Sequence, residues 1–218
     1  MNNKSKIILD LCGGTGGWSR PYDENGYTVY NITHPKFDVF DNTKVGDMIT
    51  FHGRDNTIAI NRKDIYGIFS APTCTHFSIA RTNAKEPRDL ETAMKLVREC
   101  LEIIWWASYD DSHKLVFWAL ENPQGLLRRF LGRPYYTFSP EDFGEHYSKK
   151  TDLWGWFNFP KKNKYTLTED EKLLCSMGLC TECPIPEDYE RPDNFTERQI
   201  IRSITPPKFA QAFYEANK

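Results

Sequence analysis

No run of roughly 18 apolar residues occurs in the 218-residue chain, so nothing in it reads as a membrane-spanning helix and no membrane partner is expected. The opening MNNKSKIILDLC carries too short an apolar stretch to serve as a signal peptide. Cysteine is scarce and irregularly placed. Six are too few for a disulfide scaffold, which points to a reducing cytoplasm. Charge of one sign is lacking as well. With 28 basic against 30 acidic residues the net charge is −2, so no global positive field advertises nucleic acid. Any grip on phosphate must come from a local cluster. Internal repeats and low-complexity tracts are absent. Aromatic residues, by contrast, make up 14% of the chain, which suits a dense core or surfaces that stack on bases. The length fits one domain with a small appendage, able to bury roughly 70% of its unfolded surface.

Lys6 to Leu11 is a short apolar run followed at once by Gly13-Gly14-Thr15-Gly16-Gly17. That is the pattern of a buried strand, a tight glycine turn, and a helix from Trp18 to Asn25 ended by Gly26. Tyr27 to Ile32 reads as a second strand closed by a turn at His34-Pro35, and Ile65 to Ser70 as a third. Residues 41–63 are polar and carry no assignable pattern. Asp89 to Ala107 sets Leu90, Ala93, Leu96, Val97, Leu101 and Ile104 at the spacing of an amphipathic helix. Leu115 to Leu120 reads as a fourth buried strand. Residues 165–192, with acids, three cysteines and several prolines, read as irregular. Arg198 to Asn217 looks helical with a break at Pro206-Pro207. Strands alternating with helices predict an α/β fold with an open, mostly parallel sheet, whose ligands sit at the carboxyl ends of the strands. Three chemically rich loops, 12–17, 71–78 and 121–125, fall at such ends.

The glycine loop lets backbone approach a ligand closely with a helix amino-terminus behind it. A phosphate-binding loop would want Lys-Ser/Thr after the last glycine; Trp18-Ser19 follows instead, which favours a nucleotide-like ligand without a triphosphate. The plain alternative is a glycine turn with no ligand. In Pro72-Thr73-Cys74-Thr75-His76-Phe77-Ser78 a thiol follows a buried strand directly, where a nucleophile would be partly exposed, and His76 could lower its pKa. A structural cysteine is the alternative. Glu121-Asn122-Pro123-Gln124-Gly125 places a carboxylate on an apolar floor, which raises its pKa toward a value useful for proton donation, unless it merely caps its own turn.

Taken in order, these loops resemble the motif series of the DNA cytosine-5 methyltransferases, and the compact layout resembles their short phage-type members. Asp10, Leu11, Gly14, Gly16 and Gly17 match the first motif; Pro72, Cys74, Phe77 and Ser78 the second; Glu121 and Asn122 the third. Arg88-Asp89-Leu90, Phe143-Gly144 through Thr151, and Ser203-Ile204-Thr205-Pro206-Pro207 fit later segments. The resemblance covers most of the chain outside 41–64 and 160–195. It implies a Rossmann-like class I S-adenosylmethionine-dependent methyltransferase fold with a twisted sheet. Residues 1–158 and 196–218 would form the catalytic domain and 159–195 a small target-recognition insertion.

The resemblance further implies that Cys74 adds to carbon 6 of cytosine while Glu121 protonates or hydrogen-bonds ring N3 and Asn122 holds the acid loop. S-adenosyl-L-methionine would be bordered by Asp10, Cys12, Gly13, Gly14, Thr15, Gly16, Gly17, Trp18 and Pro72, with the Trp18 indole near the adenine. No acid follows the second strand at Asn31-Ile32-Thr33, so Asp38 or Asp47 would grip the ribose. Ser78, Arg81, Lys149 and Thr151 would meet the substrate, although Tyr147, Lys149 and Thr151 stand where the family has Gln, Arg and Arg. The expected partner is duplex DNA with a flipped cytosine, bound by a monomer in a bacterial or phage-infected cell. Two alternatives remain open: the same chemistry on RNA, single strands or a free nucleotide, and a catalytically silent DNA- or nucleotide-binding relative. Cys175, Cys180 and Cys183 form a weak zinc pattern without a clear fourth ligand, His146 being a remote candidate, so no metal is expected. Lys149, Lys150, Lys161, Lys162 and Lys164, interleaved with Trp154, Trp156, Phe157 and Phe159, read either as a phosphate and base platform or as a solvated face over core aromatics. Arg128, Arg129 and Arg133 could also meet phosphate.

Overall fold

Central parallel strands are covered on both faces, so their sequences are near-continuous apolar runs, as IILDL and IYGIFS are here. The computed structural model describes residues 3–79, 86–108, 115–177, 184–187, 189–192 and 195–218. In chain order the elements are β1 (Ile7–Leu11), α1 (Arg20–Glu24), β2 (Thr28–Ile32), β3 (Phe37–Val45), β4 (Met48–Gly53), β5 (Thr57–Asn61) and β6 (Ile65–Ser70). Then come α2 (Leu90–Ser108), β7 (Phe117–Pro123), α3 (Arg128–Leu131), β8 (Tyr136–Phe138), β9 (Thr151–Trp156), α4 (Glu169–Ser176), α5 (Glu197–Ser203) and α6 (Pro207–Asn217). Six strands form one sheet in the order β2-β1-β6-β7-β9-β8. The first four are parallel and β9 runs antiparallel to both of its neighbours. The expected mixed α/β architecture with a mostly parallel sheet is therefore present.

Side chains alternate across a strand, so each face of this sheet collects its own core. On one face Ile8, Phe69, Phe117, Ala119 and Leu153 meet Tyr22 of α1 and Phe209 and Phe213 of α6 in a largely aromatic cluster. Phe69 and Phe117 lie 5.0 Å apart between ring centres, and both meet Phe213 edge-on. On the other face Leu9, Leu11 and Ile68 pack under Cys100, Ile103 and Ile104 of α2.

The stretch at 41–63, unassigned from sequence, belongs to a second sheet: β3, β4 and β5 pair antiparallel in that order. One side of this meander is wet, which gives it the polar composition that hid it. Its inward residues Phe37, Val39, Ile49, Phe51 and Ile60 join the α2 core. Gly46, at φ +57°, supplies the two-residue turn between β3 and β4. Asn42 and Lys44 of β3 both reach Glu99 of α2. β8 and β9 were likewise unexpected. β9 is buried on both faces over Thr151–Trp154 and so shows no alternation.

Other boundaries shift modestly. The first helix begins only at Arg20, and β7 extends through Pro123, so the acid loop starts inside the strand. The 165–192 stretch contains α4, capped by Thr168, whose hydroxyl accepts from the Glu171 amide. The final helices part at Pro206-Pro207 as expected. No helix among the described residues is long and apolar enough to cross a membrane.

At the middle of β6, Gly67 has no room for a side chain, because a Cβ there would stand 2.3 Å from the Phe117 ring. Gly67→Ala should lower unfolding free energy by about 1–3 kcal/mol through overpacking of the aromatic core, measured by urea denaturation. An unchanged midpoint would mean that Phe117 can move aside freely.

Candidate active site

From β1 the chain passes to β2 on one side, then returns through the antiparallel meander to β6 on the other side of β1. Such a reversal opens a crevice at the carboxyl ends of the two diverging strands, where α/β proteins bind ligands. The glycine loop leaves β1 and the cysteine loop leaves β6 at this point. Cys12 takes φ +59°, Gly14 +55° and Gly16 +69°, a run of left-handed residues that curls the loop tightly. Asn31 Nδ2 donates to the Gly14 carbonyl at 3.0 Å and Thr33 Oγ1 accepts from the Gly14 amide at 3.2 Å, so the end of β2 holds the loop's shape. The amides of Gly13, Thr15 and Gly17 have no intramolecular partner among the described residues and remain available to a ligand.

Several residues expected to touch a cofactor stand differently. Asp10 is wholly buried beneath the loop, where a Cβ on Gly13 would meet its carboxyl at 2.4 Å. Ser19 Oγ donates to Asp10 Oδ2 at 2.6 Å, while Oδ1 has no partner among the described residues. Burial pushes its pKa up to about 6 against the pull of the Ser19 hydrogen bond. Asp10 thus braces the loop from below. The Trp18 indole is only 2% exposed and packs on Phe69, Phe209 and Phe213, so it is a core residue and no platform for an adenine. The loop enters its helix with Trp18 facing the sheet, where burying an indole contributes more than leaving it in water. A hydrogen bond to Cys100, then burial, push the Cys12 thiol well above its ordinary range, which marks it as a packing thiol. Asp47 is committed to Arg62 at 2.7 Å and Lys63 at 3.1 Å in the small sheet. Asp38, at the start of β3, stands 3.5 Å from His34 Nε2 and its Oδ1 accepts the Phe40 amide at 2.9 Å; it lies near enough to Cys12 to act on its ionisation. Phe40, two residues on along the strand, is half-exposed, an aromatic that sequence reasoning passed over.

The second and third loops are fastened to each other. Asn122, fully buried, donates from Nδ2 to the Pro72 carbonyl at 2.9 Å. Ser78 and Gly125 form an antiparallel bridge, and the Leu126 amide donates to the Phe77 carbonyl at 2.9 Å. The approach is so close that a Cβ on Gly125 would lie 2.3 Å from that carbonyl oxygen. Ser70 of β6 pairs with Leu120 of β7; Cys74, four residues past the end of β6, lies close enough to Glu121, within β7, for the two charges to interact. Cys74 is partly exposed and its carbonyl accepts from Phe77 and Ser78, closing one tight turn.

The charges around the pair were only partly legible beforehand. Burial raises the Cys74 pKa; Lys149 opposes it most, Glu121 adds to it, and Arg202 opposes it further. Burial also lifts Glu121, with Lys149 opposing and Asp152 reinforcing. Lys149 Nζ donates to the Arg202 carbonyl at 2.8 Å, which ties both cations to the last turn of α5. Arg202 is a site residue that the sequence did not single out; nothing local reveals that the carboxyl-terminal helices return here. His76 does not serve the thiol: its Nδ1 accepts the Asp89 amide at 2.8 Å. Thr151 is 3% exposed and its hydroxyl donates to the Lys149 carbonyl, so it faces no open site, because β9 buries its first residue. Cys175 accepts from the Ser148 amide at 3.4 Å, and His146 pairs with Glu171. Arg81, Cys180 and Cys183 lie outside the described residues.

Among protein-family models and curated proteins, none matches this chain.

Two outcomes follow from these ionisations. Asp10 binds its proton more tightly folded (about 6) than at its ordinary 3.8, so its contribution to stability is full below pH 4 and is lost as pH rises through 6. The loss should reach about 3 kcal/mol in urea unfolding, and Asp10→Asn should remove that limb of the curve. Alkylation of Cys74, taken as the difference from Cys74→Ser, should climb with pH up to and beyond the ordinary thiol range. Lys149→Met should slow it severalfold, since the thiolate loses its strongest opposing charge. A rate already level at neutral pH would show an ionised thiol and defeat the electrostatic account.

Proposed function

We propose that the chain is an S-adenosylmethionine-dependent methyltransferase of Rossmann-like fold that acts on carbon 5 of cytosine in DNA. The observation that carries this reading is the convergence of a partly exposed thiol and a carboxyl group from adjoining strand ends, beside a crevice lined with unpartnered amides. A nucleotide-like donor without a triphosphate fits that crevice: Gly13, Thr15 and Gly17 offer backbone N–H groups, and Asp38 offers a carboxylate for ribose hydroxyls. Phe40 replaces Trp18 as the candidate surface for an adenine ring.

Carbon 5 of cytosine becomes a nucleophile only after carbon 6 is attacked. The Cys74 sulfur forms a bond to carbon 6, and the displaced electron pair moves through the ring toward N3, where Glu121 supplies a proton or a hydrogen bond. A carboxyl lifted by burial retains that proton closer to neutral pH than a solvated glutamate does. Lys149 and Arg202 favour the thiolate that must form first. Asn122 is a positioning residue, holding the acid strand to the Pro72 carbonyl. Bound S-adenosylmethionine would supply an electrophilic methyl group to carbon 5, and loss of the carbon 5 proton would then break the bond from carbon 6 to the Cys74 sulfur and restore the ring. Reaching a base in a duplex requires flipping it out of the stack.

The test offers labelled donor with duplex DNA, single-stranded DNA, RNA and dCTP in turn. Label in duplex DNA is expected. Label only in the other acceptors would move the same chemistry to that substrate, and none anywhere with donor still bound would leave a binding protein. Cys74→Ser should abolish transfer and keep donor affinity, while Glu121→Gln should slow transfer by roughly 10²–10⁴-fold. Full activity in Cys74→Ser would end the assignment.

A further inference from the structure

A hollow of about 870 Å³ lies over β7, β9 and β8, lined by Trp118, Arg128, Arg133, Tyr135, Thr137 and Trp154 among others. That volume is in the range of ligand sites. It is separate from the thiol and its acid. Trp118 precedes Glu121 by three residues, about 10 Å along the strand, and an odd spacing turns the two side chains to opposite faces of the sheet.

The walls are rigid and aromatic. Trp154 Nε1 donates to the Gly132 carbonyl at 3.2 Å, fixing the indole. Tyr135 is 51% exposed but braced by Phe157 and Phe159, at 5.3 and 5.0 Å between ring centres. Trp156, 57% exposed, pairs across the ladder with Trp118 and so stands on the same face.

The charge is one-sided. Residues 124–137, QGLLRRFLGRPYYT, hold three arginines and no acid in a chain whose net charge is −2. Arg128 is engaged at 2.6 Å by both oxygens of the buried Asp152. Arg133 and Arg129 are exposed and make no ion pair among the described residues. The Arg133 guanidinium, in the same lining as the exposed Tyr135 ring and the partly exposed Trp118, complements a ligand that is both anionic and planar, which is the chemistry of a nucleotide unit. Stacking on fixed aromatics with phosphate on arginine is how single strands are held without regard to sequence.

We infer that this hollow is a second nucleic-acid site, taking a nucleotide of a single-stranded segment with its base against Tyr135 and Trp118 and its phosphate on Arg133. The inference does not depend on the chemistry at Cys74. Binding of fluorescent oligothymidylate is therefore measured by anisotropy on Cys74→Ser protein without methyl donor, from about 50 to about 200 mM salt. The expected result is salt-sensitive binding that Arg133→Ala weakens by about tenfold, with a salt slope smaller by about 0.7, while Arg133→Lys retains most of it. Tyr135→Ala should weaken it by roughly five- to a hundredfold. Both side chains are exposed, and a thermal midpoint matching the parent protein's separates lost contact from lost fold. Absence of binding, or binding indifferent to Arg133→Ala and Tyr135→Ala, overturns the site. Competition by free thymidine monophosphate as strong as by the oligonucleotide overturns the strand as its occupant. Oligonucleotide bound here by a protein that transfers no methyl group would retire the proposal for Cys74 and leave this one standing.

Discussion

The hydrogen bond from Asn122 to the Pro72 carbonyl is the contact on which the site's geometry depends. It joins the end of β7 to the cysteine loop, 50 residues apart in the chain, it is buried, and its loss would leave a buried carbonyl and amide without partners. The Ser78–Gly125 bridge repeats the tie a few residues further on. With both in place, the thiol and the carboxyl are carried on one rigid unit, and neither loop can drift without breaking the other. Gly125 is required there because the Phe77 carbonyl already occupies the space of a side chain.

Within that unit, burial and charge oppose each other. Desolvation makes both Cys74 and Glu121 hold their protons more tightly, which suits an acid and hinders a nucleophile. Lys149 and Arg202 counter this from the side of the carboxyl-terminal helices, and Lys149 acts on both groups at once. The same cation that eases ionisation of the thiol also lowers the acid, so its placement is a compromise between the two roles. Asp152, held by Arg128 behind the acid, shifts the balance back toward a protonated Glu121.

Much of the frame was legible in the linear pattern. β1, β2, β6 and α2 announced themselves through short, mainly apolar runs or a 3.6-residue period, and the three loops at strand ends through the glycine, thiol and acid placed at or beyond the ends of such runs. The antiparallel meander was not legible, because half its residues face water and its pairing is tertiary. Trp18 was misjudged for a related reason: a large aromatic after a glycine loop suits a ligand surface or a core equally, and only the positions of Phe69, Phe209 and Phe213 decide between them.

By itself, then, the order of residues determined that β1, β6 and β7 are buried strands and which chemical groups stand at their ends, since periodicity and turn chemistry act over a few neighbours. Tertiary structure alone decided that Asp10 supports its loop from beneath, that Asp47 is taken up by Arg62 and Lys63, and that Lys149 and Arg202 flank the thiol. Those outcomes depend on contacts that reach from nine residues, Asp10 to Ser19, to more than a hundred, Cys74 to Arg202. Burial and Coulomb interactions follow distance in space, which spacing along the chain does not encode.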